Sequence, residues 1–131
     1  MSVELYWMSF SLLATALLAL PYVAERLVRR GVTGTLANPP AQDPSAAWAE
    51  RAKRAHYNAI ENIAVFAPAT IVVVLLQRQN GMTAAACEVF FFARVLHYFV
   101  YTLGIPVART LTYLVAWVAT IMLIARSLGA L

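Results

Sequence analysis

Arginines, amides and a carboxylate cluster in this sequence where an apolar stretch should hold none. Glu50-Arg51-Ala52-Lys53-Arg54-Ala55-His56-Tyr57-Asn58-Ala59-Ile60-Glu61-Asn62 runs without a breaker into the apolar segment Ile63 to Leu76. On a helix turning about 100° per residue, Arg51, Arg54, Asn58 and Glu61 share roughly one quadrant, while Ala52, Ala55, Ala59 and Ile63 lie largely elsewhere. A second set follows in Arg94, His97, Tyr98 and Tyr101, and a fourth arginine of the group, Arg109, comes soon after. Guanidinium groups bind carboxylates two bonds at a time, so the chemistry these types suggest is capture of an anion. Glu61 alone does not neutralise Arg51, Arg54, Arg94 and Arg109, and excess positive charge near low dielectric implies a missing anion. An elongated ligand with more than one carboxylate fits that excess. The plainer reading of Arg94 and Glu61 is a buried ion pair that only holds helices together.

The elements that must position these groups are membrane helices. The chain has 131 residues, 62% hydrophobic and 12% charged, with mean hydropathy +0.70. A span takes about 20 mostly apolar residues, so this length holds four spans with short connections and no separate soluble domain. The expected fold is all-α, an integral membrane four-helix bundle running up and down as a single domain over residues 1–131. The net charge of +4 comes from arginines beside apolar spans, which points to anionic lipid or an anionic small molecule and away from nucleic acid. One cysteine, Cys87, excludes an intrachain disulfide and a multi-cysteine metal site. The start, Met1 to Trp7, lacks the basic region of a cleavable signal, so the first apolar segment is expected to stay as a span.

Taken in order, the helices are expected over about 4–29, 44–78, 83–103 and 106–128. Pro21 is a kink site in the first, Arg26, Arg29 and Arg30 anchor its exit, and Gly31 to Gly34 end it. Asn38-Pro39-Pro40 forbids regular helix, and Asp43-Pro44 suits a helix start. The second helix would be roughly 50 Å long, so its Trp48 to Arg54 end should project beyond the hydrocarbon layer, and Pro68 predicts a kink in mid-span. Asn80-Gly81 supplies a left-handed stop and Thr83 a cap for the third helix. Gly104-Ile105-Pro106 breaks the third helix, and Arg109 falls in the first turn of the fourth. The positive-inside rule puts connections one and three in the cytoplasm and both termini outside.

Two histidines do not make a metal site without further ligands. His56 points away from the polar stripe and reads as an interface residue. His97, near the stripe, reads as a packing or hydrogen-bonded histidine, and Tyr98 and Tyr113 read as packing material.

Two long motifs remain: Glu50-Arg51-x-x-Arg54-Ala55-His56-x-Asn58-x-x-Glu61-Asn62 with Phe66 after it, and Ala93-Arg94-x-x-His97-x-x-x-Tyr101-x-x-Gly104-Ile105-Pro106-x-x-Arg109-Thr110. Together they closely resemble the MAPEG proteins, the membrane-associated proteins in eicosanoid and glutathione metabolism, and specifically their bacterial-type or microsomal glutathione transferase-like members. The resemblance covers the whole chain in length and layout. It implies a homotrimer in a cell's inner membrane that holds glutathione, as co-substrate, between neighbouring subunits on the cytoplasmic side. Position by position, it implies that Arg54, Asn58 and Glu61 bind glutathione, with Glu61 receiving the amino group. Arg94 and Tyr101 join them from the third helix, and Arg51 lies at the edge of the set. Arg109 matches the arginine that stabilises the glutathione thiolate, an assignment consistent with a guanidinium beside a helix N-terminus favouring a thiolate. Thr110 stands where some members carry serine.

The implied activity is that of a glutathione-dependent membrane transferase or peroxidase acting on a lipophilic electrophile or hydroperoxide that arrives from the lipid. Two other readings stand beside it. One is a binding or structural trimer of the same fold without catalysis. The other is a small four-helix transporter with Glu61 as its membrane carboxylate, which four arginines around one acid disfavour.

Overall fold

Long apolar runs punctuated by proline, glycine and asparagine dictate helices with sharply defined ends. The computed structural model describes residues 1–38 and 45–131, and these are all helix, turn or coil. The helices are α1 (Val3–Leu17), α2 (Leu20–Leu36), α3 (Ala47–Leu75), α4 (Gly81–Leu103) and α5 (Pro106–Leu128). Helices α1 and α2 form one span, Val3–Leu36, and with α3, α4 and α5 they give four helices long and apolar enough to cross a membrane.

The first helix differs from expectation in being broken and longer. The interruption falls at Leu18 and Ala19, because Pro21 has no N–H to give the carbonyl one turn earlier. Gly31, at φ 68 and ψ 177, makes a second bend where helix termination was expected, and a last turn continues to Leu36. Helix α3 starts at Ala47. The expected Asp43-Pro44 cap, like Pro39 and Pro40, lies outside the described residues. Its 29 residues span about 43 Å, and helical assignment continues unbroken through Pro68.

The turn between α3 and α4 corrects two capping assignments. The left-handed residue is Gln77, at φ 53, and the bonds Gln77 N–H to Val74 O and Arg78 N–H to Val73 O close a Schellman motif around it. With α3 already stopped there, Asn80 and Gly81 are released to begin α4. Asn80 is the N-cap and Thr83 its reciprocal partner, with the Thr83 amide donating to Asn80 Oδ1 at 2.9 Å and the Asn80 amide to Thr83 Oγ1 at 2.9 Å. The Thr83 hydroxyl in turn donates to Glu4 Oε1 at 2.6 Å, which ties the start of α1 to the start of α4 through a carboxylate only 3% exposed.

Helix α4 is the hub, packed against α1, α3 and α5, while α2 packs on α3. The core is built on Phe66 of α3 stacked on Phe90 of α4, with ring centroids 3.6 Å apart. Val73, Cys87 and Leu123 complete it. Ala69, Ala86, Ala93, Ala116 and Ala119 line the contacts, and small residues let membrane helices approach closely. At one end of the bundle, Arg78 donates to Ser127 O at 2.7 Å and Arg126 to Arg78 O at 2.8 Å, a reciprocal staple between the α3–α4 turn and the end of α5.

Candidate functional site

The polar stripe of α3 faces α4 and α5 at the opposite end of the bundle. Arg54, Asn58 and Glu61, spaced four and three residues apart, project from neighbouring turns of one helix face. From α4, Arg94, His97 and Tyr101 do the same, and from α5, Arg109, Tyr113 and Trp117. Arg94 is 6% exposed, and its Nη2 donates to Asn58 Oδ1 at 2.9 Å. The Arg94–Glu61 ion pair that the sequence allowed is not formed among the described residues. Instead an uncharged amide faces the cation, and Arg94 Nε and Nη1 are buried with no hydrogen-bond partner. A guanidinium so placed in a membrane helix is left with donors to give.

Two adjoining recesses meet at Asn58, the partner of Arg94; Arg94 and Arg54 themselves line neither. One, about 180 Å³, is lined by Asn58, His97, Tyr101, Arg109, Thr110 and Tyr113. The other, about 260 Å³, is lined by Asn58, Glu61, Asn62, Val65, Tyr113 and Trp117 with three further α5 residues. Asn58 and Tyr113 belong to both and so join them. Arg109 is exposed, with its guanidinium carbon 4.8 Å from the centroid of the Tyr101 ring, a cation–π contact that holds the charge at the mouth of the first recess. Glu61 is exposed in the second. Arg54 is exposed on the same face of α3 and makes no hydrogen bond or ion pair with a described residue.

Arg51 is placed differently. Its Nε donates to Thr102 O at 2.8 Å and its side chain lies against Gly104, the left-handed residue that ends α4. A cation there meets the negative end of the helix dipole, so Arg51 braces the rim beside Tyr101. His97 is 2% exposed; its Nδ1 lies 3.1 Å from Arg109 O and 3.1 Å from Thr112 Oγ1. A carbonyl only accepts, so Nδ1 carries the proton in that bond. His97 thereby fixes the first turn of α5, which carries Arg109, and its Nε2 is buried without a partner. His56 is buried away from the recesses, with Nδ1 2.8 Å from the Tyr22 hydroxyl. Among the described residues no group of three His, Cys, Asp or Glu side chains could hold a metal ion.

The polar and aromatic lining of the second recess includes three residues not singled out from the sequence as site residues: Asn62, Tyr113 and Trp117. Asn62 stands inside the first motif and donates to Asn58 O at 2.7 Å. Tyr113 and Trp117 follow Arg109 at intervals of four, a helical spacing that would have marked them as sharing its face.

The sequence model of the MAPEG family matches residues 5–129, nearly the whole chain. The chain belongs to the MAPEG family. That membership accounts for an integral, multi-pass membrane protein of four spans, and at the level of the family it supports a glutathione-related membrane function. No curated protein and no solved structure matches the sequence. Within this MAPEG protein, the two sequence motifs come together in space at Asn58: the first supplies the α3 wall, and the second supplies α4 and the start of α5.

Proposed function

We propose that this protein is a glutathione-dependent membrane transferase or peroxidase that uses lipophilic electrophiles or hydroperoxides, with its site completed between subunits of a homotrimer. The observation that carries this reading is Arg94, a cation 6% exposed with two unpartnered guanidinium nitrogens, set beside the recess that holds Arg109. Buried guanidinium donors on Arg94, an exposed arginine in one recess and a carboxylate in the adjoining one suit a ligand with two carboxylates, one ammonium group and a thiol. Arg94 and Arg54 would take carboxylates, Glu61 the ammonium, Asn58 and Tyr101 the peptide between them, and Arg51 the rim.

Arg109 supplies the chemistry. It stands in the first turn of α5, whose N-terminal amides add positive potential, and both favour a thiolate over a thiol. The thiol gives its proton to solvent at the open mouth, and the sulfur lone pair then forms a carbon–sulfur bond as the leaving group departs from the electrophile. Tyr101 under the guanidinium keeps the charge from swinging away, which is positioning in the sense that raises effective concentration. Each recess alone is smaller than the roughly 300–1,000 Å³ usual for a small-molecule site. Their openness to the surface supports completion by a neighbouring copy. Two apolar grooves of about 410 and 420 Å³ run between α4 and α5 and share Val89, Leu111 and Val115; they suit the apolar part of a lipid-borne substrate. The basic residues around Arg26 to Arg30 and Arg51 to Arg54 support a cytoplasmic mouth.

Conjugation of glutathione to a chlorinated nitroaromatic, and reduction of a lipid hydroperoxide, test the reading directly. Turnover above the detergent background, a rise in Tm with added glutathione and a loss of about ten-fold or more in turnover for Arg109→Ala at neutral pH are expected. Absence of both turnover and the Tm rise refutes it.

A further inference from the structure

Arg94 lines a small, largely enclosed cavity of about 10 Å³ together with Ser11, Ala14, Thr15 and Leu18 of α1, Ala59 of α3, and Phe90, Phe91 and Val95 of α4. The α1 residues are spaced three, one and three apart, so a single face of that helix covers the cavity. Its volume is about that of one water probe, the lower limit for holding a water molecule. It is too tight for a larger anion. The Ser11 hydroxyl donates to Trp7 O at 2.9 Å and the Thr15 hydroxyl to Ser11 O at 2.8 Å. Both hydroxyl hydrogens are therefore committed, and both oxygens are left with lone pairs that accept.

Arg94 has the complementary need. Nε and Nη1 both lack partners, and they occupy different edges of the planar guanidinium, so one acceptor does not serve both. We infer that one edge of Arg94 is held by a single trapped water, which accepts from the guanidinium and donates to the hydroxyl oxygens of Thr15 and Ser11. Nη2 is held by Asn58, which lines both recesses. Neither hydroxyl has a direct hydrogen bond to Arg94, and no bulk water reaches the middle of a span to substitute, so a bridging water is the arrangement that satisfies donors and acceptors together. Ser11 and Thr15 are then positioning residues: through the water they set the guanidinium plane whose far edge meets Asn58. The consequence for ligand binding rests on the role proposed above for Arg94; the water itself does not.

The test needs no ligand. In detergent-solubilised protein labelled with 15N-arginine, magnetisation transfer from water should reach an Arg94 side-chain N–H that exchanges slowly with solvent. Thr15→Val, which keeps the shape and removes the acceptor, and Ser11→Ala/Thr15→Val should abolish that transfer, whereas Thr15→Ser should preserve it. The double substitution should lower Tm by about 3–6 °C with Arg94 present and by less than about 1 °C in an Arg94→Met background. Transfer that survives in the double variant, absence of transfer in the wild type, or equal Tm losses in both backgrounds overturns the inference. If glutathione proves not to bind, these readouts are unaffected, so the two readings fail separately.

Discussion

Asn58→Leu is the substitution whose cost follows most directly from the geometry. Among the described residues, Asn58 Oδ1 is the one acceptor on the Arg94 guanidinium, at 2.9 Å, and Arg94 is 6% exposed. Leucine removes that acceptor while nearly keeping the volume, so the cation is left buried with no protein partner. A hydrogen bond to a charged group contributes about 1.5–3 kcal/mol, and its loss exposes the desolvation penalty of the donor. For a chain of this length each kcal/mol corresponds to about 3–4 °C, which gives a fall in Tm of about 5–12 °C. Replacing both partners should cost much less, because Asn58→Leu/Arg94→Met leaves neither a buried charge nor an orphaned amide. Thermal unfolding of the single and double variants in one detergent, without ligand, measures the difference. A single variant as stable as the wild type, or a double variant less stable than the single, refutes the claim that Asn58 is what holds Arg94.

Other substitutions probe the frame around the site. Phe90→Ala removes one ring of the stack with Phe66 and should cost about 3–5 kcal/mol, seen as loss of cooperative unfolding above about 30 °C or failure to accumulate in membranes; Phe90→Leu should be far milder. Arg51→Met removes a cation from the end of α4 and should lower Tm by about 3 °C, while Arg51→Lys restores only part, since the bond is made by Nε. Glu4→Leu removes the bond between α1 and α4 while the Thr83 hydroxyl can still donate to Asn80 O at 2.9 Å, so it should cost about 1 kcal/mol in urea or thermal unfolding, whereas Glu4→Gln keeps an acceptor and should cost less than half as much.

The helices and their number could be read from the sequence because apolar length decides both, and Gly104-Ile105-Pro106 marked the α4–α5 boundary through residues that dictate backbone geometry. Errors arose where two local signals competed. Asn80-Gly81 has the composition of a stop, but Gln77 takes the left-handed conformation first, since Arg78 is then free to reach the α5 carbonyls. Pro21 identified the right neighbourhood, and the interruption lies just before it because proline withholds its donation from the turn that precedes it. For the site, helical spacing gathered Arg51, Arg54, Asn58 and Glu61 on one face and set Arg94, Tyr98 and Tyr101 together with His97 at the edge, whereas His97 lines a recess and Tyr98 packs against Ala52 and Ala55 instead. Spacing did not choose the partner of Arg94: Asn58 and Glu61 are on adjoining turns, and only their heights relative to α4 decide between them. Nor could spacing show that Arg51 reaches past the stripe to Thr102, because a long flexible side chain makes its contact far from its own backbone.

The bond between Glu4 and Thr83 joins residues 79 positions apart in the chain. At about 5–20 residues per second of synthesis, Glu4 waits roughly 4–16 s for its partner to be made. Throughout that time the first span carries a carboxylate near its end with nothing to bury it against. Its insertion is then expected to leave Glu4 at the water interface until α4 is made and Thr83 can meet it. In a truncated chain that stops before Thr83, the first residues of the first helix should be more open to a water-soluble thiol reagent at Glu4→Cys than in the intact chain.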